Sequence, residues 1–168
     1  MRKIYPENVR RITATVGGKT YHFKSEGEFL WSQYLQFLKQ SGEIADWQYE
    51  PPPFFFTDIR FGPVQYKLDF LIQAGQKQHY YQEFKRGFLD GQAVTKLRRM
   101  ADQHPDVIIE LVMMGIGKRF SHRQTIAQKY VRRIINADII FKQLGRLIIS
   151  AKEYQAGKNL QKSIDNPK

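Results

Sequence analysis

The sequence predicts an α/β domain with the element order helix, three antiparallel-capable strands, helix, strand. Three observations lead to this. Two apolar runs, Tyr66–Ile72 and Tyr80–Lys85, flank the polar stretch Gln73-Ala74-Gly75-Gln76-Lys77, a hairpin signal. Two segments have helical apolar spacing with caps at their ends. Val107 to Met114 is a nearly continuous apolar run, as a strand buried on both faces would be.

In chain order, Arg11–Val16 followed by Gly17-Gly18 predicts a short strand and turn, with Thr20–Phe23 as its partner. A helix is expected from Ser25 to about Gln40, with Trp31, Leu35 and Leu38 on one stripe and Ser41-Gly42 as its end. Glu28 falls on that stripe in the first turn. Ser25-x-x-Glu28 is also a capping-box pattern, in which Glu28 would bond back to the Ser25 backbone. Pro51-Pro52-Pro53 excludes a central strand at that point, so Phe54 to Ile59 is taken as the first core strand with the prolines as a stiff lead-in. Phe61-Gly62-Pro63 turns the chain into the strand carrying Asp69, and Arg86-Gly87 ends the strand carrying Glu83. The second helix spans about Asp90 to His104, with Asp90 as N-cap and Val94, Leu97 and Ala101 inward. A C-terminal helix is expected from about Ser121 to Leu144–Gly145, with Ile126, Tyr130, Ile134 and Ile135 inward. The expected organisation is one domain over 1–150 with a core at about 23–114, followed by a polar tail over 151–168.

The chain has 168 residues and a formal net charge of +11, a balance that suits a polyanionic partner. No acidic residue occurs from Leu111 to Ala137, whereas Glu26 to Asp58 is mostly acidic. There is no cysteine, which excludes disulfides and thiolate metal sites and fits a reducing, cytoplasmic compartment. No apolar run approaches the roughly 20 residues of a membrane span, and the N-terminus has no signal-peptide core. The four histidines are too scattered to form a metal cluster.

The candidate chemistry rests on Glu28, Asp69, Glu83 and Lys85. Side chains alternate along a strand, so Glu83 and Lys85 share a face. A hairpin centred on Gln76 places Asp69 directly opposite Glu83 on that face, and a one-residue slip would separate them. Two opposed carboxylates repel unless a cation lies between them. Mg²⁺ takes hard oxygen ligands and is commonly held by one or two carboxylates, so Mg²⁺ or Mn²⁺ suits the pair. Lys85 would orient a water or neutralise phosphate charge.

The helix-borne Glu28, the segment Tyr66-Lys67-Leu68-Asp69-Phe70-Leu71 and the run Glu83-Phe84-Lys85-Arg86-Gly87 resemble the PD-(D/E)XK nuclease superfamily. Phe23-Lys24-Ser25-Glu26-Gly27-Glu28 and Gln103-His104-Pro105-Asp106 add to a likeness to phage endonuclease I-type Holliday-junction resolvases. The resemblance covers about Phe23 to Met114, and Leu68 stands where the motif has its proline. It implies a restriction-endonuclease-like αβββαβ core, a mixed central sheet flanked by helices, with a C-terminal helical extension. It also implies Mg²⁺ or Mn²⁺ on Asp69, Glu83 and the Phe84 carbonyl, with Glu28 completing the site. The implied activity is cleavage of branched DNA in recombination by a homodimer, without a membrane, in a bacterial or phage-infected host cell. Arg86, Lys96, Arg98, Arg99, Lys118, Arg119, Arg123 and the remaining bases up to Arg133 are candidates for DNA-backbone contacts. The alternatives are another nuclease of the superfamily, transposon end-cleaving or restriction-type, and a non-catalytic nucleic-acid-binding protein on the same fold.

Overall fold

The computed structural model describes residues 11–75, 78–116 and 121–145. Packing divides the chain into two units, 1–137 and 138–168, and residues 137–145 are helical. Within the first unit the described residues form a mixed α/β fold around a five-stranded sheet.

The expected hairpin at the start is present: β1 (Ile12–Val16) pairs antiparallel with β2 (Lys19–Phe23). Helix α1 (Glu26–Gln40) begins at the Ser25 N-cap, whose side chain accepts the Glu28 N–H. Acidic residues in its first turn and Lys39 in its last turn suit the helix dipole. Gly42, at φ 78°, takes the left-handed conformation just beyond its end.

The first core strand is β3 (Asp46–Tyr49), which corrects the expectation of Phe54 to Ile59. Trp47 and Tyr49 alternate inward as a half-buried strand requires, and the prolines then end it because they donate nothing to a ladder. Phe54 instead belongs to β4 (Phe54–Phe55), which pairs with β5 (Gln65–Tyr66) in a separate two-stranded ribbon. The run Tyr66–Ile72 is therefore broken: Tyr66 ends the ribbon, and β6 (Phe70–Gln73) starts just after Asp69.

Strand β6 lies between β3 and β7 (His79–Arg86), antiparallel to both, and β8 (Ile109–Met114) adds parallel to β7. Between β7 and β8 runs α2 (Gly91–Gln103), started by Asp90, which accepts the Ala93 N–H at 2.7 Å. The expected long C-terminal helix is replaced by α3 (His122–Ala127), then β9 (Arg133–Asn136), then the helical stretch from 137. Ile134 and Ile135 are β-branched and pair with Leu111 and Val112, extending the sheet over the open edge of β8. Tertiary pairing thus overrides a pattern that also fits a helix.

Each sheet face has its own core. On one, Trp31 and Leu35 of α1 meet an aromatic cluster from the hairpin and sheet, with ring centroids 4.9 Å apart for Phe23–Tyr49 and 5.4 Å for Tyr49–Phe70. On the other, Leu97 and Met100 of α2 pack with Tyr66, Leu68, Ile109, Leu111 and Met113. Fully burying one such side chain contributes roughly 1.5–3 kcal/mol.

One fully buried carboxylate crosses the first of these cores. Glu110 accepts from Gln82 Nε2 at 2.8 Å, from Arg132 Nη2 at 2.5 Å and from Arg133 Nε at 2.6 Å, while Gln82 accepts from Trp31 Nε1 at 2.8 Å. Arg132 also stacks over Tyr80, 4.5 Å from its ring centroid. These two arginines, expected among the DNA contacts, are held by a charge that cannot be left unpaired.

Replacing both arginines, Arg132→Ala and Arg133→Ala, is expected to cost about 3–5 kcal/mol, measured as a lower denaturation midpoint, because the buried Glu110 carboxylate is left without a charged partner. A second outcome concerns Arg99, which donates to the Pro63 carbonyl and, at 2.7 Å, to the Phe61 carbonyl. Arg99→Ala is expected to cost about 1.5–3 kcal/mol and to speed amide exchange in residues 57–64 while leaving β7 and β8 protected.

Candidate active site

Strand register builds the site. Phe70 faces Gln82 and Gln73 faces His79, so Asp69, one step before β6, stands opposite Glu83 as expected from the hairpin. The Phe84 N–H donates to Asp69 Oδ2 at 2.8 Å, and the Glu50 N–H donates to the Asp69 carbonyl at 2.7 Å. Asp69 is thus fixed from both neighbouring strands. Both carboxylates are buried, Asp69 at 6% and Glu83 at 4% exposure.

Lys85 shares the face of Glu83 and reaches its Oε1 at 2.5 Å. Glu83 Oε2 and the Tyr66 hydroxyl are both buried and neither makes a hydrogen bond of good geometry, although the hydroxyl lies close enough to the Glu83 carboxylate to interact with it. Burial, then the charges of Glu83 and Glu28, hold the Asp69 carboxyl well above the ordinary carboxylate range. For Lys85, burial works against the charge, but Glu83 and Asp69 outweigh it and its pKa is raised. Burial, the charges of Glu83 and Asp69 and a hydrogen-bonding interaction with Glu83 push the Tyr66 hydroxyl far up as well, so it stays protonated.

Glu28 approaches from α1 but is engaged differently from the expected capping box. Its Oε2 accepts from the Lys24 N–H at 3.1 Å and from the Tyr49 hydroxyl at 2.6 Å; the Ser25 N–H is not its partner. The box fails by one residue because Tyr49, at the end of β3, draws the carboxylate toward the sheet. Burial and this bond raise the Tyr49 pKa. Gly27 brings α1 against β7: a Cβ there would overlap the Phe84 ring, and this close approach holds Glu28 beside the carboxylate pair.

Asp69, Glu83 and Lys85 are therefore brought together, and Glu28 borders them. Among the described residues no group of three or more His, Cys, Asp and Glu side chains is close enough to hold a metal ion. The donor chemistry nevertheless fits a hard cation: two opposed buried carboxylates, with no hydrogen bond of good geometry at Glu83 Oε2.

Sequence reasoning passed over Tyr49, Tyr66, Lys24 and Glu50. Glu50, at φ 49°, pairs with Lys24 and, at 2.9 Å, with Lys67. Burial opposes its charge, but the two lysines hold its pKa below the ordinary range. Tyr66 could have been noticed as a hydroxyl in a segment where phenylalanine would pack equally well.

Of the residues expected to contact DNA, Arg86 is exposed, Lys96 lies 5.3 Å from the Tyr66 ring centroid, and Arg123 donates weakly to the Leu89 carbonyl at 3.4 Å. Arg99, half-buried, donates to the Phe61 and Pro63 carbonyls. Lys118 and Arg119 lie outside the described residues, as does the tail 151–168. No helix among the described residues is long and apolar enough to cross a membrane. Compared with protein-family models and with curated proteins, the chain matches none.

The raised pKa of Asp69 has a testable sign. The fold binds its proton more tightly than the unfolded chain does, so the carboxyl costs stability once pH exceeds about 3.9 and increasingly up to the folded value. In EDTA, Asp69→Asn is expected to melt above wild type at neutral pH, with the difference vanishing toward pH 4. Asparagine keeps an acceptor for the Phe84 N–H.

Proposed function

We propose that this protein is a Mg²⁺- or Mn²⁺-dependent endodeoxyribonuclease with a restriction-endonuclease-like core, similar to the PD-(D/E)XK nucleases and, among them, to phage resolvases of the endonuclease I type. The observation that supports it most is the register that buries Asp69 opposite Glu83 with Lys85 on the same face. Stability alone does not favour two facing buried carboxylates.

Asp69, Glu83 and the Phe84 carbonyl would hold the cation. When bound, it supplies polarisation of the scissile phosphate and a lower pKa for its water. Lys85, charged and two residues beyond Glu83, orients the attacking water and offsets charge developing on the phosphate. Glu28, held by Tyr49 and the Lys24 N–H, lines the site and hydrogen-bonds solvent or substrate from the α1 side. Leu68, in the place of the motif proline, is fully buried in the α2-side core, so it anchors the backbone before Asp69 by packing.

The net charge of +11 and the exposed cations Arg86 and Arg98 supply contacts to phosphates, which set affinity without reading sequence. Branched DNA, such as a Holliday junction, is the proposed substrate, and a two-fold homodimer would make the paired cuts. The pathway this serves is DNA recombination in a bacterial or phage-infected cell.

The test is cleavage of a labelled four-way junction, a nicked duplex and a linear duplex in Mg²⁺, Mn²⁺ or EDTA. Junction cutting in either metal, none in EDTA, none by Asp69→Asn and about 10²–10³-fold less by Lys85→Ala are expected, with DNA affinity kept in both variants. Equal cutting of all three substrates would reassign the enzyme to another nuclease of the superfamily. Tight, salt-sensitive binding without cutting would make it a nucleic-acid-binding protein.

A further inference from the structure

Three segments bring a second charged cluster to the rim of the carboxylate site. Lys24 follows β2, Glu50 follows β3, and Lys67 lies between β5 and β6, two residues before Asp69. The Lys24 N–H donates to Glu28 Oε2 at 3.1 Å and the Glu50 N–H to the Asp69 carbonyl at 2.7 Å, so both backbones are fixed to the site. Their side chains converge: Lys24 Nζ pairs with Glu50 Oε1, and Lys67 Nζ with Glu50 Oε2 at 2.9 Å. Burial works against the Lys24 charge, but Glu50, Asp69 and Glu28 outweigh it and its pKa is raised. Glu50 holds its place at φ 49°, a left-handed conformation that is costly for a residue with a Cβ. Ion pairs with lysines this exposed return little stability. Strain of this kind is commonly kept where a ligand is clamped. Two features give the ligand's chemistry. One carboxylate does not neutralise two ammonium groups, and each ammonium has three donors, of which Glu50 takes one. The cluster therefore offers positive charge and donors beside Glu28, Asp69 and Glu83, whose charges would repel an arriving phosphate.

We propose that Lys24 and Lys67, aligned by Glu50, form a phosphate-binding pair at the rim of the site and take the backbone phosphate of the DNA strand next to the one that is cut. This rests on the nuclease reading given above. The pair offsets the repulsion between the strand and the three carboxylates, and Glu50 sets the spacing of the two cations. Lys19 and Lys39 provide a matched comparison elsewhere on the surface. Lys39 pairs with Asp46 at 2.7 Å and Lys19 acts on the same carboxylate, so these too are two lysines about one acid. Lys39 lies in the last turn of α1, whereas Glu28 lies in the first.

The experiment measures binding of a labelled four-way junction in EDTA over a series of salt concentrations. Wild type is compared with three double variants: Lys24→Ala with Lys67→Ala, Lys24→Arg with Lys67→Arg, and Lys19→Ala with Lys39→Ala. Each phosphate contact contributes roughly 0.9 to the slope of log affinity against log salt. Alanine at Lys24 and Lys67 is expected to flatten the slope by about 2 and to weaken binding about 10–100-fold at about 0.1 M salt. Arginine at the same positions keeps the charge and is expected to keep the slope, and alanine at Lys19 and Lys39 to leave it at the wild-type value. An unchanged slope on alanine substitution of Lys24 and Lys67 would overturn the proposal. So would equal flattening by the Lys19 and Lys39 variant, which would show diffuse attraction, or by the arginine variant, which would show a packing role. Wild type that binds no DNA, or cuts none in Mg²⁺ or Mn²⁺, would instead remove the reading on which the proposal stands.

Discussion

The site depends on the register between β6 and β7. Asp69 and Glu83 face each other because Phe70 pairs with Gln82, and the Phe84 N–H closes the junction by bonding to Asp69 at 2.8 Å. Side chains alternate with period two, so a slip of one residue would turn Phe70 and Ile72 out of their core and carry Asp69 to the opposite face. Apolar burial on both faces therefore enforces a pairing of like charges that electrostatics opposes. The aromatic cluster under α1 and the aliphatic core under α2 hold the two carboxylates in place.

The β4–β5 ribbon shows how locally unfavourable pieces are kept in position. Three prolines end β3 and lift the chain away from the sheet. The ribbon returns through Tyr66 to Asp69, and α2 fastens it: Arg99 to the Phe61 and Pro63 carbonyls, Gln103 to Thr57 in both directions at 2.9 and 3.1 Å, and Lys96 over Tyr66. Phe61 is left 87% exposed at the outer turn. Helix α2 thus contributes core on one stripe and tethers on another, so the strand leading into Asp69 is anchored from outside the central sheet.

The positive charges divide by what surrounds them. Arg132 and Arg133 neutralise buried Glu110, Arg99 ties down the ribbon, and Lys24 and Lys67 share Glu50. Arg86 and Arg98 are exposed on the surface. The net charge of +11 already subtracts Glu50 and Glu110, so this pairing decides where the positive charge stands free and leaves its total unchanged. Burial decides the difference: a carboxylate out of water must recruit partners, whereas an exposed one gains little from them.

Much of this was legible in the residues. The hairpin centre follows from the polar stretch between two alternating runs, and with it the Asp69–Glu83 pairing. The limits of α1 and α2 follow from Ser25, Gly42, Asp90 and His104, because caps act within a few residues of the backbone they satisfy. The first core strand, the short α3 and the strand β9 were not legible, because Trp47–Tyr49, Phe54–Ile59 and Ile134-Ile135 each fit more than one element when considered alone. Only the sheet edges waiting to be paired decide among them. The side-chain partners Tyr49 of Glu28, Lys67 of Glu50 and Arg132 of Glu110 lie 21, 17 and 22 residues away in the chain, so no spacing rule could find them. Local chemistry alone determined which residues could carry the chemistry and how two strands align. The tertiary structure decided which side chains are spent on folding and which polar groups are buried together, Tyr66 beside Glu83 and Asp69, because desolvation is a property of the assembled core.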